Sequence, residues 1–134
     1  MTRGSCLCGA VRFEVSGPLS DFVLDHCSRC RKSTGSAFGA EIMCRTADFR
    51  WVSGESLVKI YVAPVRDQPP GYRRDFCLVC GSAVPSVLED RVCLPAGALD
   101  DDPGIRPAQH IFAAYKAPWF DTTDAAPQFA RHPI

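Results

Sequence analysis

The chain has no excess of charge of either sign. Fifteen basic residues stand against fifteen acidic ones, for a formal net charge of zero. No global field therefore draws it to nucleic acid or to an anionic membrane, and no basic stripe runs along it. It has no apolar run long enough to span a bilayer. The opening residues, MTRGSCLCG, lack the apolar stretch of a secretory signal. There are no internal repeats, no low-complexity tract and no clear βαβ pattern. What remains is the expectation of a soluble, cytoplasmic protein. Its 134 residues form a single domain, with a core over about 4–120 and a C-terminal tail at 121–134.

In such a setting eight cysteines are unusual. The cytosol keeps thiols reduced, so a disulfide framework explains them poorly. Paired cysteines at short spacing point to metal ligation instead. Cys77-Leu78-Val79-Cys80-Gly81 is a Cys-x-x-Cys-Gly knuckle, whose single turn aims two sulfurs at one metal. The glycine permits backbone angles that other residues resist. Cys6-Leu7-Cys8-Gly9 is the natural other half. Together Cys6, Cys8, Cys77 and Cys80 make a closed, all-thiolate zinc site in which metal binding becomes folding free energy. The other reading leaves Cys6 and Cys8 as a strand edge.

Cys27-Ser28-Arg29-Cys30 is a second Cys-x-x-Cys, preceded by Asp25 and His26. Asp25, Cys27 and Cys30 supply three ligands and leave a fourth position open, as catalytic zinc sites do. A redox pair is the competing assignment. Cys44 and Cys93 stand alone in apolar strands and read as buried small residues.

The remaining pattern is mostly β. Val11, Phe13 and Val15 alternate with polar residues, and further strands are expected within 21–26, 37–45, 48–54, 57–63, 73–84, 90–99 and 109–115. Ser53-Gly54-Glu55 reads as a hairpin turn between two of them. Residues 27–35 form a tight knuckle or one helical turn stopped at Gly35, and 64–72 form a loop. The tail from Asp121 is polar, with scattered prolines and loose packing.

The segments GSCLCGAVRFEV, HCSRCRKSTGSAF, FCLVCGS and HIFAAYKAPWF, in this order, resemble the glutathione-dependent formaldehyde-activating enzyme (GFA) family, also called the centromere protein V family. The resemblance runs from about Gly4 to Phe120. It implies an Mss4-like fold of several small coiled β-sheets organised around zinc. It also implies that the Cys-x-Cys and the later Cys-x-x-Cys share the structural zinc, as the spacing argument has it. The family's second, catalytic zinc uses Cys-x-Cys-x-x-Cys. Here the first of those cysteines is Asp25. The implied activity is that of a carbon–sulfur lyase interconverting glutathione plus formaldehyde with S-hydroxymethylglutathione.

Zinc on Asp25, Cys27 and Cys30 would bind a small-molecule thiol or a glutathione adduct, or polarise a carbonyl oxygen. Arg31 and Lys32 belong to a basic, hydroxyl-rich turn suited to a substrate carboxylate, or are simply solvated. His26 is a general base near neutral pH, or points away from the metal because alternate strand residues face opposite ways. His110 lines the same cleft or is a satisfied, half-buried histidine. Trp119 and Phe120 close the core or wall the substrate. Three functions stand open: an enzyme of this kind, a non-catalytic zinc-stabilised binding module, and a degenerate member with an empty second site.

Overall fold

Alternating apolar and polar residues decide which face of each short strand is buried, and three small sheets result. The computed structural model describes residues 1–66 and 71–132. The strands are β1 (Thr2–Ser5), β2 (Arg12–Val15), β3 (Ser20–Asp25), β4 (Gly39–Arg45), β5 (Phe49–Ser53), β6 (Val58–Val62), β7 (Arg73–Cys77), β8 (Ser86–Val87), β9 (Arg91–Pro95) and β10 (Gln109–Ile111). Helix α1 (Ser28–Thr34) lies between β3 and β4. The first sheet runs β1-β2-β5, the second β10-β3-β4-β9-β8 and the third β6-β7. Among the strand pairs of the described residues, only β10–β3 is parallel.

The core lies between the first two sheets. Phe13 and Val15 of β2 meet Ile42 and Cys44 of β4 and Val92 and Leu94 of β9, all at two-residue spacing and all buried. Cys44 is thus a small core residue. A second cluster joins Val23, Cys27, Cys30, Ile111 and Phe112, and a third joins Cys6, Val11, Cys77 and Val84. Two of the three clusters therefore contain paired cysteines. The packing that closes the fold is the same packing that aims the sulfurs.

Several expectations change. Ser53-Gly54-Glu55 does not make a hairpin: β5 pairs with β2, and β6 pairs with β7. Gly54 takes φ +79° and a 3-10 turn follows at Glu55–Leu57, which carries the chain out of one sheet into another. Residues 27–35 form a seven-residue helix rather than a single turn, ended at Gly35 in the left-handed conformation. The strand at 109–115 stops at Ile111, because Phe112 takes φ +52° to bury its ring and a 3-10 turn follows.

The tail is not loosely packed. His110 N–H donates to the Pro127 carbonyl at 2.8 Å, Phe129 N–H to the His110 carbonyl at 2.8 Å and Phe112 N–H to the Arg131 carbonyl at 3.0 Å. β10 is an edge strand, and the tail satisfies backbone groups that would otherwise stand open. Trp119 does not close the core, being 70% exposed, whereas Phe120 is half-buried against Phe38 and His26. Of the loop expected at 64–72, residues 67–70 lie outside the described residues. No helix among the described residues is long and apolar enough to cross a membrane.

Candidate metal centres

The first centre joins the two ends of a long loop. The ligand atoms of Cys6, Cys8, Cys77 and Cys80 all lie within 4.8 Å of one another. Cys6 Sγ is 3.6 Å from Cys8 Sγ, and Cys8 Sγ is 3.9 Å from Cys77 Sγ. A tetrahedral thiolate site with metal–sulfur bonds of about 2.3 Å spaces its sulfurs about 3.8 Å apart, so the quartet fits zinc. Gly9 and Gly81, one after each pair, take φ +79° and +74°. That is the left-handed turn for which glycine was expected there. The Gly81 amide donates to the Cys77 carbonyl at 2.7 Å, closing the knuckle. Leu7 N–H donates to Ser82 Oγ at 3.1 Å and ties the two halves together. Val11 N–H donates to Cys6 Sγ at 3.3 Å. Hydrogen bonds from the Ser82 hydroxyl and amide push the Cys80 thiol down to about 5. These polar contacts favour the thiolate, the form a metal needs, at Cys6 and Cys80, whereas at Cys8, despite a hydrogen bond from the Ala10 amide, burial and the neighbouring sulfurs push the thiol up.

The second centre sits where β3 ends and α1 begins. Asp25, Cys27 and Cys30 are buried, and their ligand atoms also lie within 4.8 Å of one another. Asp25 pairs with Gly39 of β4 on one side and Ile111 of β10 on the other, which fixes its backbone. Cys27 caps α1: its Sγ accepts from the Cys30 amide at 3.3 Å. Asp25 Oδ1 accepts from the Cys27 amide at 3.0 Å. Gly39 faces the Cys30 side chain, where a Cβ would stand 3.4 Å from Cys30 Cβ, an ordinary contact.

A fourth acidic group was missed in the sequence. Glu41 of β4 lies beside Cys30, with Cys30 Sγ 3.9 Å from Glu41 Oε1. The signal available was a lone carboxylate inside the apolar segment AFGAEIMCR. Burial, then the Asp25 charge, pushes Glu41 up to about 7, and burial raises Asp25 as well. The hydrogen bond with Cys30 lowers Cys27 and raises Cys30. Crowded acidic groups that resist ionising together make a donor set for a divalent cation. Two sulfurs with a carboxylate suit borderline-soft zinc.

His26 turns to the opposite side of the strand from Asp25. Its Nε2 lies 2.8 Å from His110 Nδ1, and His110 Nε2 is 3.0 Å from both Asp124 oxygens. Both rings are buried. With neutral rings, His110 Nε2–H donates to Asp124 and His26 Nε2–H donates to His110 Nδ1. Burial, then the neighbouring His110, lowers the pKa of His26. Of the two readings of His26, the geometry favours the one that points away from the ligands.

One pocket adjoins this centre, and a second shares part of its wall. The smaller, of about 100 Å³, is lined by Cys30, Ser33, Glu41, Tyr72, Asp75 and Cys93 among others. The larger, of about 380 Å³, includes Arg29, Lys32, Tyr61, Arg66, Tyr72 and Arg74. Lys32 thus faces a pocket, whereas Arg31 lines neither of these two. Cys93, read as a buried small residue, is on the wall of the smaller one, where burial raises its thiol pKa.

Comparison with known proteins agrees with this arrangement. A sequence model of the family described as glutathione-dependent formaldehyde-activating enzyme matches residues 1–115. The chain is 34% identical over 127 residues to a Halomonas elongata protein named "Putative glutathione-dependent formaldehyde-activating enzyme", covering 90% of this chain and 80% of that one. A crystal structure of a Rhodobacter sphaeroides protein superposes with a TM-score of 0.53 at 25% identity, covering 78% of this chain and 91% of the other. With most of its length matched and both cysteine groups folded into metal-ligand clusters, the chain belongs to the glutathione-dependent formaldehyde-activating enzyme family.

Proposed function

We propose that this protein is a zinc-dependent carbon–sulfur lyase acting on the adduct of a small thiol with formaldehyde, S-hydroxymethylglutathione where the thiol is glutathione. The observation that carries this reading is the buried Asp25–Cys27–Cys30 cluster, with Cys30 on the wall of an open pocket. Zinc on Cys6, Cys8, Cys77 and Cys80 is structural, since four thiolates complete its shell. Asp25, Cys27 and Cys30 would hold a second zinc and leave one coordination position for substrate. When bound there, the metal lowers the pKa of a thiol and polarises a carbonyl oxygen. All eight cysteines are free, so the ligand sulfurs are available as thiols.

The reaction needs one proton moved. In the direction of addition, the thiol loses its S–H proton, the carbon–sulfur bond forms, and the carbonyl oxygen gains a proton. The reverse breaks that bond and returns the proton to sulfur. Two carboxylates line the pocket beside Cys30, Glu41 and Asp75. Asp75 is committed: it accepts two hydrogen bonds from Arg73 at 2.7 Å and one from Ser86 at 2.8 Å. Glu41 has no basic partner among the described residues, and we assign its Oε1 the proton. His26 acts by position, holding the end of β3 through His110 rather than meeting substrate.

The test is zinc content per chain, by elemental analysis and native mass spectrometry on protein purified without chelator. It is paired with NMR exchange spectroscopy of glutathione with formaldehyde. The expected result is two zincs and accelerated exchange, with one zinc and no acceleration in Asp25→Ala. A single zinc in the wild type and exchange at the uncatalysed rate would overturn the proposal. The chain would then be a zinc-stabilised fold without this chemistry.

A further inference from the structure

Four cationic side chains converge on the larger pocket, with no carboxylate on its wall among the described residues. Arg29, Lys32, Arg66 and Arg74 line it together with Tyr61 and Tyr72. Five arginines elsewhere are paired: Arg3 with Asp101, Arg45 with Asp48, Arg50 with Glu14, Arg73 with Asp75 and Arg106 with Asp102. None of the four pocket cations forms an ion pair among the described residues.

Arg29 is the least ordinary of them. It is 7% exposed, so its guanidinium charge is nearly out of water. One terminal nitrogen donates to the Pro64 carbonyl, and the other, Nη1, is buried with no partner among the described residues. A buried guanidinium is normally compensated by a carboxylate, because removing its charge from water is costly. Among the described residues Arg29 meets only a neutral carbonyl, and one of its donors is unused. An anion in the pocket would complete the arrangement.

The pocket also shares a wall with the smaller pocket beside the metal centre. Ser33, Tyr72 and Arg74 line both it and the smaller pocket at Cys30 and Glu41. The Ser33 hydroxyl and the Tyr72 hydroxyl are hydrogen-bonded to each other along that shared wall. At about 380 Å³ the cavity falls in the range of small-molecule sites, about 300–1,000 Å³.

We infer that this cationic pocket is a recognition subsite for the carboxylates of a small anionic thiol, whose sulfur then reaches the Cys30 end. The identity of the ligand rests on the reaction proposed above; the site rests on the geometry alone. Guanidinium forks bind carboxylate and phosphate alike, so the test separates the two sources.

The probe is S-methylglutathione, whose capped sulfur cannot react with formaldehyde. Its binding is measured by titration calorimetry to the wild type and to Arg74→Gln and Lys32→Gln. Lys32 is exposed and Arg74 half-buried, and neither belongs to a buried core cluster, whereas Arg29→Gln risks the fold. Circular dichroism and metal content verify that each variant is intact. The expected result is measurable binding that weakens about tenfold or more in each variant, consistent with the loss of a charged hydrogen bond. The diester of the same probe is expected to bind the wild type as weakly as the variants bind the free acid. The inference is overturned if the wild type does not bind the probe, or if both variants bind it as the wild type does. It is also overturned if inorganic phosphate alone binds with this charge dependence. Turnover with formaldehyde is read separately. Charge-dependent binding without turnover would remove the reaction and leave the subsite. Turnover with an unchanged KM for glutathione in Arg74→Gln would remove the subsite and leave the reaction.

Discussion

Removing one sulfur of the first centre should cost far more than removing a buried sulfur elsewhere, because the centre closes a long loop. Cys8 and Cys77 are 69 positions apart in the chain. By loop-closure entropy, cross-linking an unfolded chain over that separation is worth about 4 kcal/mol. A whole domain has a net stability of only about 5–15 kcal/mol. With an unfolding entropy of about 2.1 cal/mol/K per residue, 134 residues convert that loss into a fall in Tm on the order of 15 °C. Calorimetric melts of Cys77→Ala are the assay, with Cys44→Ala as control. Cys44 is equally a buried sulfur, in the cluster of Phe13, Ile42 and Val92, but has no ligand partners. Its loss should cost only about 1 kcal/mol, near 4 °C. A strong zinc chelator added to the wild type should reproduce the Cys77→Ala melt. The reasoning fails if the chelator leaves the wild-type Tm unchanged, or if the two variants melt together.

Glu41→Ala should slow thiol–formaldehyde exchange by about a hundredfold or more while both zincs remain bound, as loss of a general acid–base does; lost zinc would make Glu41 a ligand instead. Gly54→Ala should destabilise by about 2–4 kcal/mol, since φ is +79° and a Cβ would stand 2.3 Å from the Ala10 carbonyl. Gly104→Ala, at φ +78° but with nothing within 4 Å, should cost about 1–2 kcal/mol, and equal urea midpoints would contradict this account. The His110 hydrogen bond holds Asp124 below its ordinary value. That contact stabilises the fold above the unfolded aspartate's value of about 3.9 and is lost as pH falls through the lower folded value. Acid unfolding of Asp124→Asn should therefore show a shallower pH dependence than the wild type, and superimposable acid limbs would argue against the tether.

The legible part of this protein is the part that local chemistry dictates. Alternation at Val11, Phe13 and Val15 placed β2, and spacing with a following glycine paired Cys6 and Cys8 with Cys77 and Cys80. The triad of Asp25, Cys27 and Cys30 also came from spacing alone. Partners across sheets were not legible. Gly54 carries the same turn signal whether the next strand pairs back or leaves the sheet, and here it leaves. The docking of the tail on β10 depends on backbone groups left open at an edge, which side-chain composition does not report. Glu41 stands on the strand that follows α1 and Arg74 on the distant β7, and only the fold brings them to the pocket at Cys30 and to Arg29.

A carboxylate at Asp25, where the family resemblance implies a thiolate, has a physical context in this surrounding charge. A carboxylate accepts the Cys27 amide and still presents a second oxygen to a metal. It also makes the donor set harder, so a zinc held there would be the stronger Lewis acid. Glu41 adds a further acidic group at the same end, while Arg29, Lys32 and Arg66 line only the larger pocket and Arg74 lines both. Among the described residues, carboxylates therefore line only the smaller of these two pockets, and most of these cations without an ion pair line the larger alone. In the reading proposed here, that polarity orients the substrate before any chemistry. A thiol bearing remote carboxylates is drawn by those carboxylates to the basic end, which leaves its sulfur for the metal. A molecule carrying its negative charge beside the sulfur would meet Asp25 and Glu41 instead. Specificity then resides less in the metal ligands than in the distance between sulfur and carboxylate.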